Sequence, residues 1–137
     1  MKKVLFVCTG NTCRSPMAMA LFNDFANKNG LDVVSDSGGL AADVGSFASE
    51  NTISVLEEMN IDLSGYKSKQ INNQMLDESD LIVCMSQGHR DVLESVGYST
   101  ELFGDGINDP YGCSIDVYRN CRDKMIGEIP KLLRFLK

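Results

Sequence analysis

The chain moves between two patterns of apolar spacing. Some stretches are short unbroken apolar runs, and others place apolar residues three and four apart. Residues 2–7, with Val4-Leu5-Phe6-Val7 at their centre, read as a buried strand. After a polar loop the spacing becomes helical, with Met17, Ala18, Leu21, Phe22 and Phe25 on one face. Ser15 suits the N-cap of that helix and Pro16 its first position, and Asn29-Gly30 ends it. Leu31 to Asp36 reads as a second strand, broken by Ser37-Gly38-Gly39. Residues 40–47 form a loop. Ala48, Thr52, Val55, Leu56 and Met59 mark a second helix that stops near Asn60. Residues 61–69 are irregular, and a short helix covers Asn72 to Glu78. Ser79 to Met85 is the clearest central strand after the first, and Ser86 caps a helix running to about Ser95. Thr100 to Phe103 is a short strand, followed by a polar loop with three glycines over residues 104–113. From Ser114 onward, Ile115, Tyr118, Arg122, Met125, Ile129, Leu132 and Leu136 repeat at helical spacing, with a kink predicted at Pro130.

Strands alternating with helices predict an α/β fold. The expectation is one domain over residues 1–137, with a four-stranded parallel sheet flanked by helices on both faces. Right-handed crossovers put the loops at 8–15, 37–46 and 104–113 on one edge of that sheet.

Composition narrows the function more than the fold. No apolar run approaches a membrane span, and the apolar run behind Met1-Lys2-Lys3 is too short for a signal peptide. A cytoplasmic protein with no membrane partner is expected. The net charge is -6 and no basic patch is visible, which argues against nucleic acid as a partner. Any anion site must therefore be built locally. The five cysteines (Cys8, Cys13, Cys84, Cys113, Cys121) are odd in number, without Cys-x-x-Cys spacing, and His89 is the one histidine. That pattern disfavours a zinc site and a secreted disulfide framework, and it predicts reduced thiols, no metal and no cofactor.

The candidate chemistry lies in Cys8-Thr9-Gly10-Asn11-Thr12-Cys13-Arg14-Ser15-Pro16, between the first strand and the first helix. Backbone N–H groups at a helix start have no intrahelical partner and converge on an anion with the positive end of the helix dipole. Arg14 adds a planar fork of donors. The same positive surroundings favour the thiolate of Cys8, with Ser15 as a further donor to it. A thiolate at the floor of an oxyanion cradle is a nucleophile aimed at phosphorus. The alternative is that Cys8 is a buried apolar residue at a strand end. A displacement also needs an acid for the leaving group. Asp109-Pro110 in the loop 104–113 is the best candidate, Asp105 is a local competitor, and an ordinary Asp-Pro turn is the structural alternative.

With both loops in view, the chain resembles the low-molecular-weight protein tyrosine phosphatases. The resemblance rests on Val7-Cys8-Thr9-Gly10-Asn11-Thr12-Cys13-Arg14-Ser15-Pro16-Met17-Ala18, on Asp109-Pro110-Tyr111, and on the strand Asp80-Leu81-Ile82-Val83-Cys84-Met85. It implies a phosphate-binding loop after the first strand and hydrolysis of phosphorylated side chains through a phosphocysteine. Cys8 is then the nucleophile. Arg14 binds phosphoryl oxygens together with the loop positions Thr9, Gly10, Asn11, Thr12 and Cys13. Asp109 is the acid and then the base. Ser15 stabilises the thiolate, Asn11 with Ser37 holds the loop, and Cys13 forms a reversible disulfide with Cys8. Phosphorylated proteins are the implied partners, for a monomer or weak homodimer.

Three branches of that family share the loop. The tyrosine phosphatases commonly have an aliphatic residue where this chain has Thr12, and often a second aromatic where it has Gly112. Thr12 with Asp109-Pro110-Tyr111-Gly112 looks more like the bacterial protein arginine phosphatases, in which the threonine narrows the pocket for a guanidinium. Cys113 departs from that branch, where a second glycine is common. The chain therefore reads as a phosphoarginine phosphatase, with phosphotyrosine as the alternative. Arsenate reduction needs a shuttle pair of cysteines on a later segment, and Cys84-Met85-Ser86-Gln87-Gly88-His89 lacks the second one. Tyr111 stands either at the pocket mouth, stacking on the substrate, or as an exposed loop residue with no role. His89 reads as structural or surface, with nothing to pair it. Lys67 and Lys69 read as a solvated patch or, less readily, a docking site for acidic protein.

Overall fold

The computed structural model describes residues 1–136. Four strands, β1 (Lys2–Cys8), β2 (Val33–Gly39), β3 (Leu81–Cys84) and β4 (Glu101–Leu102), form one parallel sheet in the order β2-β1-β3-β4. The order reverses direction between β1 and β3, so the carboxyl end of β1 opens into the crevice where ligands of open α/β sheets bind.

Strand alternation sorts β1 between two cores. Val4, Phe6 and Cys8 pack on one face with α1 (Arg14–Lys28), α2 (Glu50–Glu57) and α5 (Ile115–Glu128). Phe6 sits edge-on to Phe22, with ring centroids 5.8 Å apart, and tilted against Phe103 at 5.6 Å. Leu5 and Val7 face the other side, with Leu76 of α3 (Asn73–Asp77), Ile82 and Cys84 of β3, and Leu93 of α4 (Gln87–Ser95). A strand buried on both faces explains why residues 4–7 are apolar without alternation.

Three expectations need correction. The second strand does not break at Ser37-Gly38-Gly39 but runs through them. Pairing with β1 at Phe6↔Ser37, Val7↔Gly38 and Cys8↔Gly39 outweighs the poor strand propensity of glycine. A Cβ on Gly39 would collide with the carbonyl oxygen of Thr9, so only glycine lets β2 lie against the loop after β1. The first helix begins at Arg14, with Cys13 at the N-cap position and no side-chain cap, so Ser15 and Pro16 lie inside the first turn. The last helix does not simply bend at Pro130. It tightens into a 3-10 helix over Ile129–Phe135, with Pro130 in its first turn, where the proline has no N–H to continue the α-helical ladder. Ser86 caps its helix as expected, accepting from His89, and Ser49 and Asn72 cap theirs, accepting from Thr52 and Met75.

A surface ion cluster ties α2 to α5. Arg119 Nη2 and Nε donate to Glu58 Oε2 at 2.8 and 3.0 Å, and Arg122 Nη1 donates to Glu58 Oε1 at 2.6 Å. Hydrogen bonds from Arg119, then Arg122, pull the Glu58 carboxyl from 4.5 down to about 2. A depressed carboxylate stabilises the fold above its unfolded pKa and loses that contribution as pH falls through the folded value. Glu58→Gln should therefore lower the unfolding midpoint at pH 7. Thermal melts of both proteins should converge as pH falls from about 4.5 towards 2.

Candidate active site

Residues Cys8 to Arg14 curl around a pocket of about 180 Å³, closed on the far side by Asp109 and Tyr111. Cys8 is the last residue of β1, and the loop has one turn's length before α1 begins. The N-terminus of α1 thus delivers its unpartnered amides and positive dipole end to the space above the Cys8 sulfur.

The thiol is held by two donors. Asn11 N–H points at Cys8 Sγ from 3.2 Å, and Ser15 Oγ lies 2.8 Å from the same sulfur. Asn11 reaches this geometry with φ of 58°, in the left-handed region that asparagine tolerates better than most residues. Its side chain is fully buried and fully used. Nδ2 donates to Ser15 Oγ at 2.8 Å and to Ser37 Oγ at 3.0 Å. Oδ1 accepts from Tyr66 OH at 2.6 Å and from the backbone of Lys69 at 2.9 Å. Because Ser15 Oγ accepts from Asn11, its own hydrogen is free to point at the Cys8 sulfur.

Tyr66 is a residue that sequence reasoning missed. It lies in the stretch 61–69, which carries no motif, and meets Asn11 across 55 positions of chain. Its hydroxyl also lies 2.7 Å from Ser37 Oγ, and burial pushes its pKa up to about 12, so it stays a protonated donor. Tyr66→Phe removes the donor to a buried amide oxygen, a loss on the order of 1–3 kcal/mol. It should slow alkylation of Cys8 by iodoacetate at pH 7 about tenfold or more, read against the unaltered protein.

The second anchor is Arg14, 8% exposed. Its Nη1 donates to the carbonyl of Ile107 at 3.0 Å, and its Nη2 lies 3.7 Å from Asp109 Oδ2. Asp109 is half-exposed, and its Oδ1 accepts from Tyr111 N–H at 3.1 Å, so Pro110 and that bond fix the turn that presents the carboxylate. Ile107 N–H donates to Met85 O at 2.8 Å, pinning this loop to the end of β3. Asp105 faces elsewhere, paired with Lys124 at 2.7 Å, and is not among the residues that line the pocket with Asp109. Tyr111 is 75% exposed and lines the pocket.

The loops expected on one edge do meet there. Leu40 N–H donates to Cys8 O and Ala41 N–H to Thr9 O, while Ser49 N–H donates to Thr12 O. Thr12 lines the pocket, its hydroxyl 3.8 Å from Cys13 Sγ. Cys13 is buried against α5 and α2. Its thiol lies 3.4 Å from Tyr118 OH and donates to Ser49 Oγ at 3.5 Å. Cys8 and Cys13 are both free thiols. His89 is not the unpaired histidine that the sequence suggested. It is buried, with Nε2 2.9 Å from Thr9 Oγ1 and Nδ1 3.0 Å from Ser86 Oγ. Cys84 is fully buried in β3, where burial pushes its thiol up to about 12. Among the described residues, no cluster of three or more His, Cys, Asp or Glu side chains is placed to hold a metal, and no helix is long and apolar enough to cross a membrane.

The arrangement places a thiol, a guanidinium, a helix start and a carboxylate around one small space. Such a set binds a tetrahedral oxyanion and can transfer its central atom to sulfur. Comparison with known proteins points the same way. The family model for low molecular weight phosphotyrosine protein phosphatase matches residues 3–137. The chain is 34% identical over 146 residues to a protein-arginine-phosphatase of Bacillus subtilis (strain 168), covering 98% of this chain and 96% of the relative. A low molecular weight protein tyrosine phosphatase from T. tengcongensis superposes with a TM-score of 0.91 at 35% identity, over 98% of this chain and 99% of that one. A cysteine-to-serine variant of the arginine phosphatase YwlE, solved with its active-site serine phosphorylated, gives 0.90 at 32% identity, over 98% and 95% of the two chains.

Proposed function

The chain belongs to the low molecular weight phosphotyrosine protein phosphatase family, and from that premise we propose that it hydrolyses phosphoarginine side chains of proteins through a phosphocysteine. The thiolate of Cys8 attacks phosphorus, so that an S–P bond forms as the P–N bond to the guanidino group breaks. Arg14 and the amides of residues Thr9 to Arg14 hold the phosphoryl oxygens. Asp109 gives its proton to the departing guanidino nitrogen. It then takes a proton from the water whose oxygen attacks phosphorus, and the S–P bond breaks to return the thiolate and release phosphate. Ser15 keeps the thiolate hydrogen-bonded, and Asn11, with Ser37 and Tyr66, keeps the loop in its binding shape.

The observation that carries the choice of ester or amide is Thr12 in the pocket wall. A hydroxyl there takes the place of the methyl groups that pack on a phenol ring, and it offers a polar contact that a guanidinium can use. Gly112, with φ of 75°, adds no second aromatic wall beside Tyr111. The similarity to an arginine phosphatase over nearly the whole length supports the same reading. The similarity to a tyrosine phosphatase keeps phosphotyrosine as the second. The deciding measurement compares kcat/KM on a phosphoarginine and a phosphotyrosine peptide, for the wild type and Thr12→Ile. The wild type should favour phosphoarginine, and Thr12→Ile should shift the ratio towards phosphotyrosine by about ten- to a hundredfold, the scale of one pocket contact. A wild type that prefers phosphotyrosine, or a ratio indifferent to Thr12→Ile, sinks this choice of substrate.

Cys13 belongs to the proposal as the thiol that caps an oxidised Cys8. Its free, buried thiol one loop turn from Cys8 is the supporting feature. Five free cysteines also fit work in the reducing cytosol.

A further inference from the structure

We propose that His89 is a positioning residue for this reaction, fixing the Thr9 hydroxyl as a hydrogen-bond donor to the phosphoryl group bound above Cys8. The inference rests on the phosphoryl-transfer reading above and adds a residue from α4, outside the loop, to it.

The proton positions follow from the bonding partners. Ser86 Oγ caps α4 by accepting the His89 backbone N–H at 3.3 Å, and it lies 3.0 Å from His89 Nδ1. A hydroxyl that already accepts has one hydrogen to give, and Nδ1 is placed to take it. In the tautomer we assign, Nδ1 is the bare nitrogen that takes the Ser86 hydroxyl hydrogen, and Nε2 carries the ring hydrogen. Nε2 lies 2.9 Å from Thr9 Oγ1 and in that tautomer is the donor to it. The ring stays neutral in this role, because burial and then the neighbouring charge of Arg14 lower its pKa, with Asp109 acting weakly against them.

Thr9 is thereby left with its own hydroxyl hydrogen, which has no protein acceptor within hydrogen-bond distance among the described residues. Thr9 is exposed and lines the pocket with Cys8, Arg14 and Asp109. An oxygen of the bound phosphoryl group is the acceptor that fits. His89 itself does not line the pocket; it acts through Thr9. Placing the donor costs nothing at the moment of reaction, because the ring is already locked between Ser86 and the loop.

The test is a double-mutant cycle with p-nitrophenyl phosphate as substrate and inorganic phosphate as competitive inhibitor. Thr9→Val and His89→Phe should each lower kcat/KM about tenfold or more, the scale of one hydrogen bond to a charged group, and each should weaken inhibition by phosphate. The double variant should behave like either single one, because both remove the same donor. Thr9→Ser restores the hydroxyl and His89→Gln restores a donor N–H, and each should stay within a few-fold of the wild type. A Thr9→Val protein with wild-type kinetics and phosphate inhibition overturns the proposal, as do losses that multiply in the double variant. If His89→Phe does not fold, Thr9→Val and His89→Gln carry the test on the same criteria. Cys8→Ser in the same assay separates the two levels. An inactive Cys8→Ser beside an unaffected Thr9→Val rejects the role of His89 alone, whereas an active Cys8→Ser rejects the phosphoryl-transfer reading with it.

Discussion

Cys8→Ser should abolish turnover of p-nitrophenyl phosphate, with a fall in kcat of about four orders of magnitude or more, as for loss of the nucleophile in other covalent enzymes. The reason is chemical rather than structural. Cys8 ends β1 inside the core, and serine differs from it by one atom, so the loop should keep its shape. Asn11 N–H at 3.2 Å and Ser15 Oγ at 2.8 Å are arranged to stabilise an anion at the sulfur. A serine hydroxyl in the same place stays protonated and has no adjacent base to take its hydrogen. Any phosphoryl group that does reach the introduced serine should remain there, because an alkoxide leaves phosphorus far less readily than a thiolate. Steady-state assay measures the first effect. Intact-protein mass, after long exposure to a phosphorylated substrate, measures the second as a gain of one phosphoryl group. Turnover at the wild-type rate would falsify the covalent route.

Asp109→Asn should cost about 10²- to 10⁴-fold in kcat on a phosphoarginine peptide, the usual contribution of a placed acid and base. The loss should depend on the leaving group. A guanidino nitrogen must be protonated to depart, whereas p-nitrophenolate departs as a stable anion. With p-nitrophenyl phosphate the first step should survive in Asp109→Asn and the second should slow, because the attacking water has lost its base. The signature is a burst of one p-nitrophenolate per chain followed by a slow steady rate, recorded by stopped flow. Asp105→Asn is the control. That carboxylate is committed to Lys124 at 2.7 Å on the outside of the loop, and its loss should leave both phases unchanged. An Asp109→Asn protein equally slowed on both substrates, without a burst, would show that the carboxylate does not move the proton. Its 3.7 Å approach to Arg14 Nη2 would then be its main contribution, through the shape of the pocket.

The local pattern carried most of the architecture. Apolar runs at 4–7 and 81–84, helical spacing between them, and the serine cap at Ser86 are all short-range signals, and each marks an element that forms. The crowding of Cys8, Arg14 and Asp109 was foreseeable too. Parallel connectivity leaves little choice about which edge the loops occupy. Local signals misled where a long-range partner outweighed them. Ser37-Gly38-Gly39 reads as a breaker, yet β1 on one side and residues 69–71 on the other supply it with ladder bonds. Ser15 reads as an N-cap, yet its hydroxyl is drawn to Cys8 and Asn11 instead.

Order along the chain is enough to specify which residues reach the edge of the sheet, because helix and strand periods act over a few neighbours. It does not specify which hydroxyl donates to which acceptor there. Tyr66 meets Asn11, His89 meets Thr9 and Tyr118 meets Cys13 across 55, 80 and 105 residues of chain. None of these pairs carries a spacing rule, and in isolation each residue reads as surface, core or loop. Folding gives them their roles: a buried polar atom must find a partner or forfeit its hydration, and only the packed arrangement brings those partners to 2.6, 2.9 and 3.4 Å. The gathering of Cys8, Arg14 and Asp109 thus belongs to the order of the residues, and the hydrogen-bond partners around them belong to the packing.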